Sequence, residues 1–566
     1  MQSQHTAEYD AIVVGSGITG GWAAKELCER GLRTLVVERG RAVEHGQYPT
    51  EWMDPWDFAH RGRGDRQRYE RDYPVQSKNY AFGEATEHFF VNDREHAYLT
   101  PADQPFRWIR GYHLGGRSLL WGRVVWRWSD LDFEANLRDG HGTDWPIRYA
   151  DVAPWYSHVE RFIGVAGDRD GIPHLPDGEF QPGWAMNCAE QHVKQGVERA
   201  FPGRRMIMTR VTNMTRDHGG RTRCQARNQC ARGCSFGAYF SSLSSTLPAA
   251  HRTGRLTVVT DAIAEQVLYD ERRDRATGVR VIDARTGERR EYRGRLIFLC
   301  ASAFGTTQLL LNSTSARFPT GLANSSSVLG RYIMDHHSKA GARGTIPGFE
   351  DKDVYGRRPA GTYIARFRNL GGRGDGRVGF LRGYGLQGGA GRAGWGRGAS
   401  MAGLGEAFKT QLREPGPWRM TYQGYGECLP YHENHLALDP ERKDRWGLPV
   451  LHVNVAWREN ERAMRADLKT ATAELLEAAG CRDVETYDDD GPPGFSVHEM
   501  GGARMGRDPK TSVLNAHNQA HDVPNLFVTD GACMASNSCV NPSLTYMALT
   551  ARAADHAVGL LDRREL

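Results

Sequence analysis

The sequence has few cysteines and no hydrophobic run long enough to cross a membrane. The longest apolar stretch, residues 296–311, is interrupted by Ser302 and by the segment 305–308, whereas a membrane-spanning helix needs about 18 apolar residues in succession. The N-terminal residues include neither a basic start nor an apolar core, so we expect no signal peptide and a cytoplasmic location for this chain alone. Ten cysteines in 566 residues are too few for a disulfide scaffold.

A strong excess of charge of one sign is also missing. The chain carries 73 basic and 68 acidic side chains, for a formal net charge of +5. A protein that binds nucleic acid by neutralising phosphates needs a concentrated basic surface, so this small, dispersed excess argues against such a partner. The 39% hydrophobic and 25% charged content is that of a globular protein. The length corresponds to about three or four domain-sized units.

The N-terminal region carries a complete nucleotide-binding pattern. An apolar strand is predicted at 10–14, a glycine-rich turn at 15–20, a helix at 18–30 and a second apolar strand at 32–38. This order of strand, turn, helix, strand and terminal acid is typical of a dinucleotide site.

Each glycine of this turn has a physical role. Gly15 permits the tight turn, Gly17 lets the backbone approach a pyrophosphate, and Gly20 allows the helix to pack closely on the strand. Glu38, at the end of the second strand, can accept a hydrogen bond from a ribose hydroxyl. An ordinary glycine turn is the alternative, because the same spacing occurs twice more without a flanking strand and helix, at 374–379 and 383–388. The context, not the glycines alone, therefore predicts the site.

Further strands and helices are predicted in the middle and near the C-terminus. Residues 296–311 indicate a strand followed by the start of a helix, after a strand at 256–260 and a hairpin-like segment at 264–283. A late strand ends at Asp530-Gly531, and Asn541-Pro542 opens a final helix.

Taken together, these segments resemble the glucose–methanol–choline (GMC) family of FAD oxidoreductases. The matching pieces span nearly the whole chain: VVGSGITGGWAAKEL from Val13, GGRSLLWG from Gly115, DWPIRYADVAPWY from Asp144, LIFLCAS from Leu296, HEMGGARMG from His498, and NLFVTDGACMASNSCVNPSLTYMAL from Asn525. The resemblance implies FAD rather than NAD. It also implies an α/β fold in which a Rossmann-like FAD-binding domain, assembled from discontinuous segments, joins an α+β substrate domain built on an antiparallel sheet.

The resemblance divides the chain between these two domains. We predict an FAD-binding domain from residues 1–135, 222–335 and 495–566, and a substrate-binding domain from residues 136–221 and 336–494. Residues 41–110 are expected to form an excursion over the flavin. The Gly- and Arg-rich stretch 360–405 fits either strands of the substrate sheet or a loop, and the sequence leaves both interpretations open.

The cofactor-binding residues implied by the resemblance lie in several parts of the chain. They are Gly15, Gly17, Gly20, Glu38 and Arg39; Gly115, Gly116, Ser118, Trp121 and Gly122; Ala262; Asp530 and Gly531; and Asn541, Pro542 and Ser543. In pyranose oxidases, the GG-x-S segment is followed by Thr-His-Trp, whose histidine bonds covalently to FAD. Leu119, Leu120 and Trp121 stand there in this chain, so we predict non-covalent, dissociable FAD.

His498 and Asn541 are the predicted catalytic pair. Oxidation of an alcohol by a flavin needs a base for the hydroxyl proton and a donor that holds the oxygen. His498 occupies the position of the family's active-site histidine, and an imidazole titrates near working pH. Asn541 stands where related enzymes carry His or Asn. The alternatives are a surface or satisfied histidine and an asparagine that only caps a helix.

Cys224, Cys230 and Cys234 form the closest group of cysteines. Three thiolates in this spacing could hold a 3Fe-4S cluster, and the spacing does not match that of zinc fingers. The segment resembles the catalytic subunit of bacterial glucoside 3-dehydrogenases, in which a cysteine cluster relays electrons from the flavin. Free structural thiols are the alternative.

The resemblance favours an FAD-dependent dehydrogenase that oxidises a secondary ring hydroxyl of a sugar or glycoside, at C3 of a glucoside. One alternative is an oxidase that passes electrons to O₂ and releases peroxide. Another is an idle flavoprotein subunit for assembly or electron transfer. Similar catalytic subunits use a cytochrome c-type acceptor, and a small signal-bearing partner can carry them to the periplasm.

Overall fold

The computed structural model describes residues 8–354, 356, 358–371 and 378–566. The strands are β1 Glu8–Val14, β2 Thr34–Val37, β3 Val165–Ala166, β4 Phe180–Gln181, β5 Met206–Met208, β6 Leu256–Val259, β7 Ala262–Asp270, β8 Arg275–Asp283, β9 Arg289–Leu299, β10 Ala340–Ile346, β11 Thr362–Ile364, β12 Tyr384–Arg392, β13 Trp418–Gly426, β14 His435–Lys443, β15 Pro449–Asn454, β16 Arg482–Asp488 and β17 Leu526–Val528. The helices are α1 Ile18–Glu29, α2 Arg66–Asp72, α3 Asp130–Phe133, α4 Ala135–Asp139, α5 Tyr149–Ile163, α6 Cys188–Ala200, α7 Leu247–Arg252, α8 Ala303–Asn312, α9 Gly405–Arg413, α10 Glu459–Ala478 and α11 Ser543–Asp562.

The first sheet has a parallel half and an antiparallel half. Its strand order is β6-β2-β1-β9-β8-β7, with β17 also paired to β9. Strands β6, β2, β1, β9 and β17 run parallel, whereas β9, β8 and β7 are antiparallel neighbours. The last four residues of β1 and all of β2 are buried, as is usual for parallel strands covered by helices. Helices α1 and α11 pack together beside this half.

The second sheet is antiparallel throughout and has six strands in the order β16-β10-β13-β12-β11-β5. Helix α10 packs on it through a buried face that includes Met464, Leu468 and Leu475. The combination of a parallel, helix-covered sheet with an antiparallel sheet confirms the predicted fold class.

Discontinuous parts of the chain form each sheet. The first draws on residues 8–37, 256–299 and 526–528, and the second on residues 206–208 and 340–488. The ribbon of β14 and β15 pairs with neither sheet, so strand pairing does not assign it to either domain. The exact domain boundaries therefore stay a prediction.

The stretch 360–405, which the sequence left open, contains two strands of the second sheet, β11 and β12, and a short 3₁₀ helix at Trp395–Ser400. The glycine pattern at 383–388 runs into β12 from the residue before it, so it belongs to a strand and not to a phosphate-binding turn. The pattern at 374–379 falls largely outside the described residues. Within the part of the chain that the structure describes, no helix is both long and apolar enough to span a bilayer.

Candidate active site

A cavity of ≈ 560 Å³ is lined by residues of both sheets. Its lining includes the glycine turn after β1 and both members of the predicted catalytic pair, His498 and Asn541. The second sheet contributes Gln387 from β12 and Gln423 from β13. A single cavity therefore connects the predicted nucleotide site with the predicted catalytic residues.

The glycine turn has open space at one of its three glycines and close backbone contacts at the other two. A Cβ on Gly15 would lie 2.4 Å from the carbonyl oxygen of Cys300, and a Cβ on Gly20 would lie 1.9 Å from that of Gly15. A Cβ on Gly17 would meet no atom within 4 Å. Gly17 caps α1 without a side-chain hydrogen bond, so the free N–H groups of this helix end remain available to a phosphate.

Glu38 is buried at the end of β2, beside the glycine turn. Its carboxylate accepts hydrogen bonds from the Ser16 hydroxyl at 2.5 Å and from the Gly40 N–H at 2.8 Å. Burial raises the pKa of the Glu38 carboxyl, although these hydrogen bonds oppose that change. Glu38 and its neighbour Arg39 line the cavity, where a ribose hydroxyl can be recognised.

The segment Gly115–Gly122 lies against the same turn. The Gly115 N–H donates to the Ser16 hydroxyl at 2.9 Å, and a Cβ on Gly116 would lie 3.5 Å from the Cα of Gly17. Both glycines have positive φ, at 83° and 49°, which favours glycine at these positions. The segment therefore closes one side of the cavity.

Most of the predicted cofactor residues line this cavity. They are Gly15, Gly17, Glu38, Arg39, Gly116, Ser118, Trp121, Gly122, Ala262, Asp530, Gly531, Asn541 and Ser543. Gly20, Gly115 and Pro542 are not part of its lining. Gly20 instead packs against the backbone of Gly15, and Gly115 donates a hydrogen bond to Ser16. Pro542 precedes the first residue of α11. An open cradle at Gly17, a free helix end and a buried acid fit a dinucleotide such as FAD.

His498 and Asn541 contact each other although 43 residues separate them. The Asn541 Nδ2 lies 3.3 Å from the His498 Nε2, and the Asn541 Oδ1 accepts a hydrogen bond from the Gln387 Nε2 at 2.7 Å. The His498 ring is half-buried and faces the cavity. An imidazole and an amide group therefore lie side by side at the cavity wall, where both can reach one oxygen atom of a bound molecule.

Burial, together with the nearby His336 and the Arg117 cation, holds the pKa of His498 well below its ordinary value. The imidazole is therefore neutral at neutral pH and can accept a proton. Arg117 also pairs with Glu499 at 2.8 Å, which ties the His498 segment to the Gly116–Leu119 turn.

The backbone around His498 is held by a neighbouring segment. Met334 and Met500 form an antiparallel bridge with N–H to O distances of 2.8 Å and 2.9 Å. Asp335 accepts hydrogen bonds from the His498 N–H at 3.2 Å and from the Gly494 N–H at 2.8 Å. Burial raises the pKa of Asp335 to about 7. These contacts fix the backbone that carries the His498 ring.

Sequence reasoning missed several residues at the catalytic end of the cavity. His336 lies 2.8 Å from His498 between their Nδ1 atoms, and the Tyr425 ring lies 6.1 Å from the His498 ring. Gln387 and Gln423 come from the second sheet. No local pattern in the sequence marks these residues, because strand pairing over long sequence separations brings them to the site.

The predicted iron–sulfur site is not supported. Cys224, Cys230 and Cys234 are half-buried free cysteines. Among the described residues, no group of three or more His, Cys, Asp and Glu side chains is arranged to hold a metal ion. Burial also raises the pKa of Cys224 and Cys234, which favours the thiol over the ligating thiolate.

Comparison with known proteins identifies this architecture. Residues 9–337 and residues 430–550 match two family models, both described as GMC oxidoreductase. The 2-methyl-1,2-propanediol dehydrogenase of Mycolicibacterium austroafricanum is 30% identical, over 97% of this chain and 94% of that protein. The fructose dehydrogenase large subunit of Gluconobacter japonicus is 26% identical, over 98% of each chain.

A solved structure has the same fold. The pyridoxine 4-oxidase from Mesorbium loti superposes with a TM-score of 0.61 over 97% of this chain and 99% of that chain, at 16% sequence identity. At this identity, the likeness concerns the fold alone.

Proposed function

Because the chain belongs to the GMC oxidoreductase family, we propose that it is an FAD-dependent dehydrogenase that oxidises a secondary ring hydroxyl of a sugar or glycoside, at C3 of a glucoside, to a ketone. The family binds FAD, and the open cradle at Gly17 fits a pyrophosphate. The contact between His498 and Asn541 at the wall of the same cavity carries the proposal.

The chain's own residues supply the proton chemistry. FAD, held at the Gly17 cradle and beside Glu38, would supply the acceptor for the hydride that leaves the carbon carrying the hydroxyl group. The Nε2 of His498 takes the hydroxyl proton, so that the C–O single bond becomes a C=O double bond as the C–H bond breaks. The Asn541 Nδ2 donates its hydrogen bond to the substrate oxygen instead of to His498, because negative charge develops on that oxygen. The substrate leaves as a ketone, and His498 holds the released proton.

The polar lining beside the catalytic pair supports a substrate rich in hydroxyl groups. Gln387, Gln423 and Tyr425 come from β12 and β13, and the Gln423 Nε2 donates to the Tyr425 hydroxyl at 2.7 Å. Amide and hydroxyl groups both donate and accept hydrogen bonds, which suits the hydroxyl groups of a sugar. A relative that acts on fructose, by its name, supports the same class.

The name of that relative, a large subunit, also supports a multi-subunit enzyme. The proposal therefore includes a small partner subunit, which in related enzymes directs export to the periplasm, and a cytochrome c-type electron acceptor.

Anaerobic bleaching of the flavin tests the activity. Purified holoenzyme is mixed with a panel of glucosides, free sugars and a 1,2-diol, and the product is identified by NMR. We expect loss of the yellow flavin absorbance with a glucoside, and a C3 ketone as the product. No bleaching with any member of the panel would refute the proposed substrate class, and bleaching by the diol alone would move it to small alcohols.

The electron acceptor is tested in the same preparation. A dehydrogenase reduces an artificial dye quickly and releases little peroxide in air. Stoichiometric peroxide, with dye reduction no faster than oxygen consumption, would identify an oxidase instead.

A further inference from the structure

We propose that His336 is a positioning residue that holds His498 in the tautomer whose Nε2 is free to accept the substrate's proton. The inference rests on the proposed function, since it concerns the same base. It assigns a role to a buried residue outside the predicted catalytic pair.

The tautomer of His336 is set by the carbonyl group of Ser538. The His336 Nε2 contacts that carbonyl oxygen, which can only accept a hydrogen bond, so this nitrogen carries the proton. His336 is 1% exposed, and burial lowers its pKa to about 4, so the ring is neutral. A neutral imidazole protonated on Nε2 has a lone pair on Nδ1.

That lone pair determines the proton position on His498. The two Nδ1 atoms lie 2.8 Å apart, and one proton must lie between them. Because His336 offers the lone pair, the His498 Nδ1 carries the proton. His498 is also neutral, so its Nε2 is unprotonated.

The opposite side of the His498 ring leads to the same assignment. The Gln387 Nε2 donates to the Asn541 Oδ1 at 2.7 Å, which orients the Asn541 amide with its Nδ2 toward His498. An amide nitrogen can only donate, so the His498 Nε2, 3.3 Å away, accepts. Two independent chains of hydrogen bonds therefore leave the lone pair on Nε2.

Backbone pairing holds His336 in this position. The antiparallel bridge between Met334 and Met500 places residues two steps away, His336 and His498, opposite each other. The rings meet edge to face, with centroids 4.9 Å apart. His336 cannot swing away, because its other nitrogen is held by Ser538.

The proposed role is specific to the proton-transfer step. When the His498 Nε2 takes the hydroxyl proton, the ring becomes an imidazolium, and its Nδ1–H hydrogen bond to the neutral His336 strengthens. Without that acceptor, only the Asn541 Nδ2, 3.3 Å away, opposes a proton on the His498 Nε2, and in the proposed reaction Asn541 moves its hydrogen bond to the substrate oxygen. A ring with its proton on Nε2 cannot act as a base. His336 does not contact the reacting atoms in this scheme.

A matched pair of variants isolates the acceptor. In His336→Asn the Oδ1 takes the place of Nδ1 and can accept from His498, whereas His336→Leu has the same branching and no acceptor. Both variants lose the hydrogen bond to Ser538. We expect His336→Leu to lower kcat roughly 10–100-fold, the usual cost of removing such a partner, and His336→Asn to remain within about fivefold of the wild type.

A second measurement follows the tautomer directly. Nitrogen-15 NMR of histidine-labelled holoenzyme without substrate distinguishes a protonated from an unprotonated ring nitrogen, and His498→Ala identifies the signals of His498. We expect a protonated Nδ1 and an unprotonated Nε2 in the wild type and in His336→Asn, and a shift toward a protonated Nε2 in His336→Leu.

The outcomes separate this inference from the proposed function. Equal loss of kcat in the Asn and Leu variants, unchanged kcat in the Leu variant, or a protonated Nε2 in the wild type would each overturn the role of His336. A wild-type enzyme that oxidises no alcohol would refute the proposed function, while the NMR result would still decide the tautomer.

Discussion

His498 and Asn541 need different surroundings to act together. In the proposed mechanism, the base needs a neutral ring with a lone pair aimed at the substrate, and we attribute this state to burial and to the hydrogen bond with His336. An amide needs only to be oriented, and Gln387 orients it. At the residue scale, each proposed catalytic group therefore contacts a neighbour from a distant part of the chain.

Replacing His498 by Ala removes the base. We expect kcat to fall by roughly 10²–10⁴, the usual contribution of a general base. The flavin should stay bound, because the predicted phosphate and ribose contacts lie at the glycine turn and Glu38. Steady-state kinetics and the flavin-to-protein absorbance ratio measure both effects, and near-normal kcat would remove His498 from the mechanism.

The pH dependence follows from the lowered pKa of His498. A base must be neutral to accept a proton, so activity is lost as pH falls through its pKa. Burial lowers that pKa below the ordinary 6.5, so kcat/KM should stay level from neutral pH to below 6.5 and then fall about tenfold per pH unit. A fall that begins above pH 7 would show that another group controls the reaction.

At the scale of an element, glycines in the turn between β1 and α1 have two different roles, one in packing and one in leaving space for a ligand. Gly15 and Gly20 serve the fold, because a side chain on either would strike the backbone. Gly17 has an ordinary φ of −65° and open space around it, so the protein alone does not require glycine there. The space in front of Gly17 is part of the cavity, where a ligand can approach the backbone.

Substitution by Ala distinguishes the two uses. Gly20→Ala should destabilise the protein by about 1–3 kcal/mol, the cost of overpacking, even without FAD. Gly17→Ala should leave the melting temperature of the apoprotein nearly unchanged but weaken FAD binding at least about tenfold, since a methyl group enters the pyrophosphate space.

Thermal denaturation of apoprotein and flavin titration measure the two quantities. The Gly20 variant serves as the control for folding. A Gly17→Ala variant that binds FAD as tightly as the wild type would contradict the assignment of this turn as the pyrophosphate site.

At the scale of the whole molecule, the cavity joins the two sheets. The first sheet contributes the glycine turn and Glu38, and the second contributes Gln387 and Gln423. A cofactor that fills this cavity contacts segments far apart in sequence. Its binding should therefore stabilise the whole fold by mass action.

Release of the flavin tests whether it is held without a covalent bond. Leu119 and Leu120 stand where pyranose oxidases carry Thr and the linking His, so acid precipitation should leave the flavin in the supernatant. Adding FAD to the apoprotein at about 100 times its Kd should then raise the free energy of unfolding by about 2.7 kcal/mol. Yellow colour that stays in the protein pellet would indicate a covalent link.

The sequence by itself determined the local units and the family. The strand, glycine turn, helix and acid at 10–38 are found within a few residues of their predicted ends, because apolar runs and glycines act over short distances. The family and the fold class are confirmed. The roles of His498 and Asn541 came from the resemblance and stay predictions, although the structure places the two side chains in contact.

Only the tertiary structure decided which groups surround the base. His336 and His498 are 162 residues apart, and they meet because Met334 pairs with Met500 in antiparallel register. The same long-range packing brings Gln387 to Asn541 and leaves the three nearby cysteines without the geometry of a metal site. The pairing register of distant segments depends on how whole sheets pack, and short-range sequence patterns do not predict that packing.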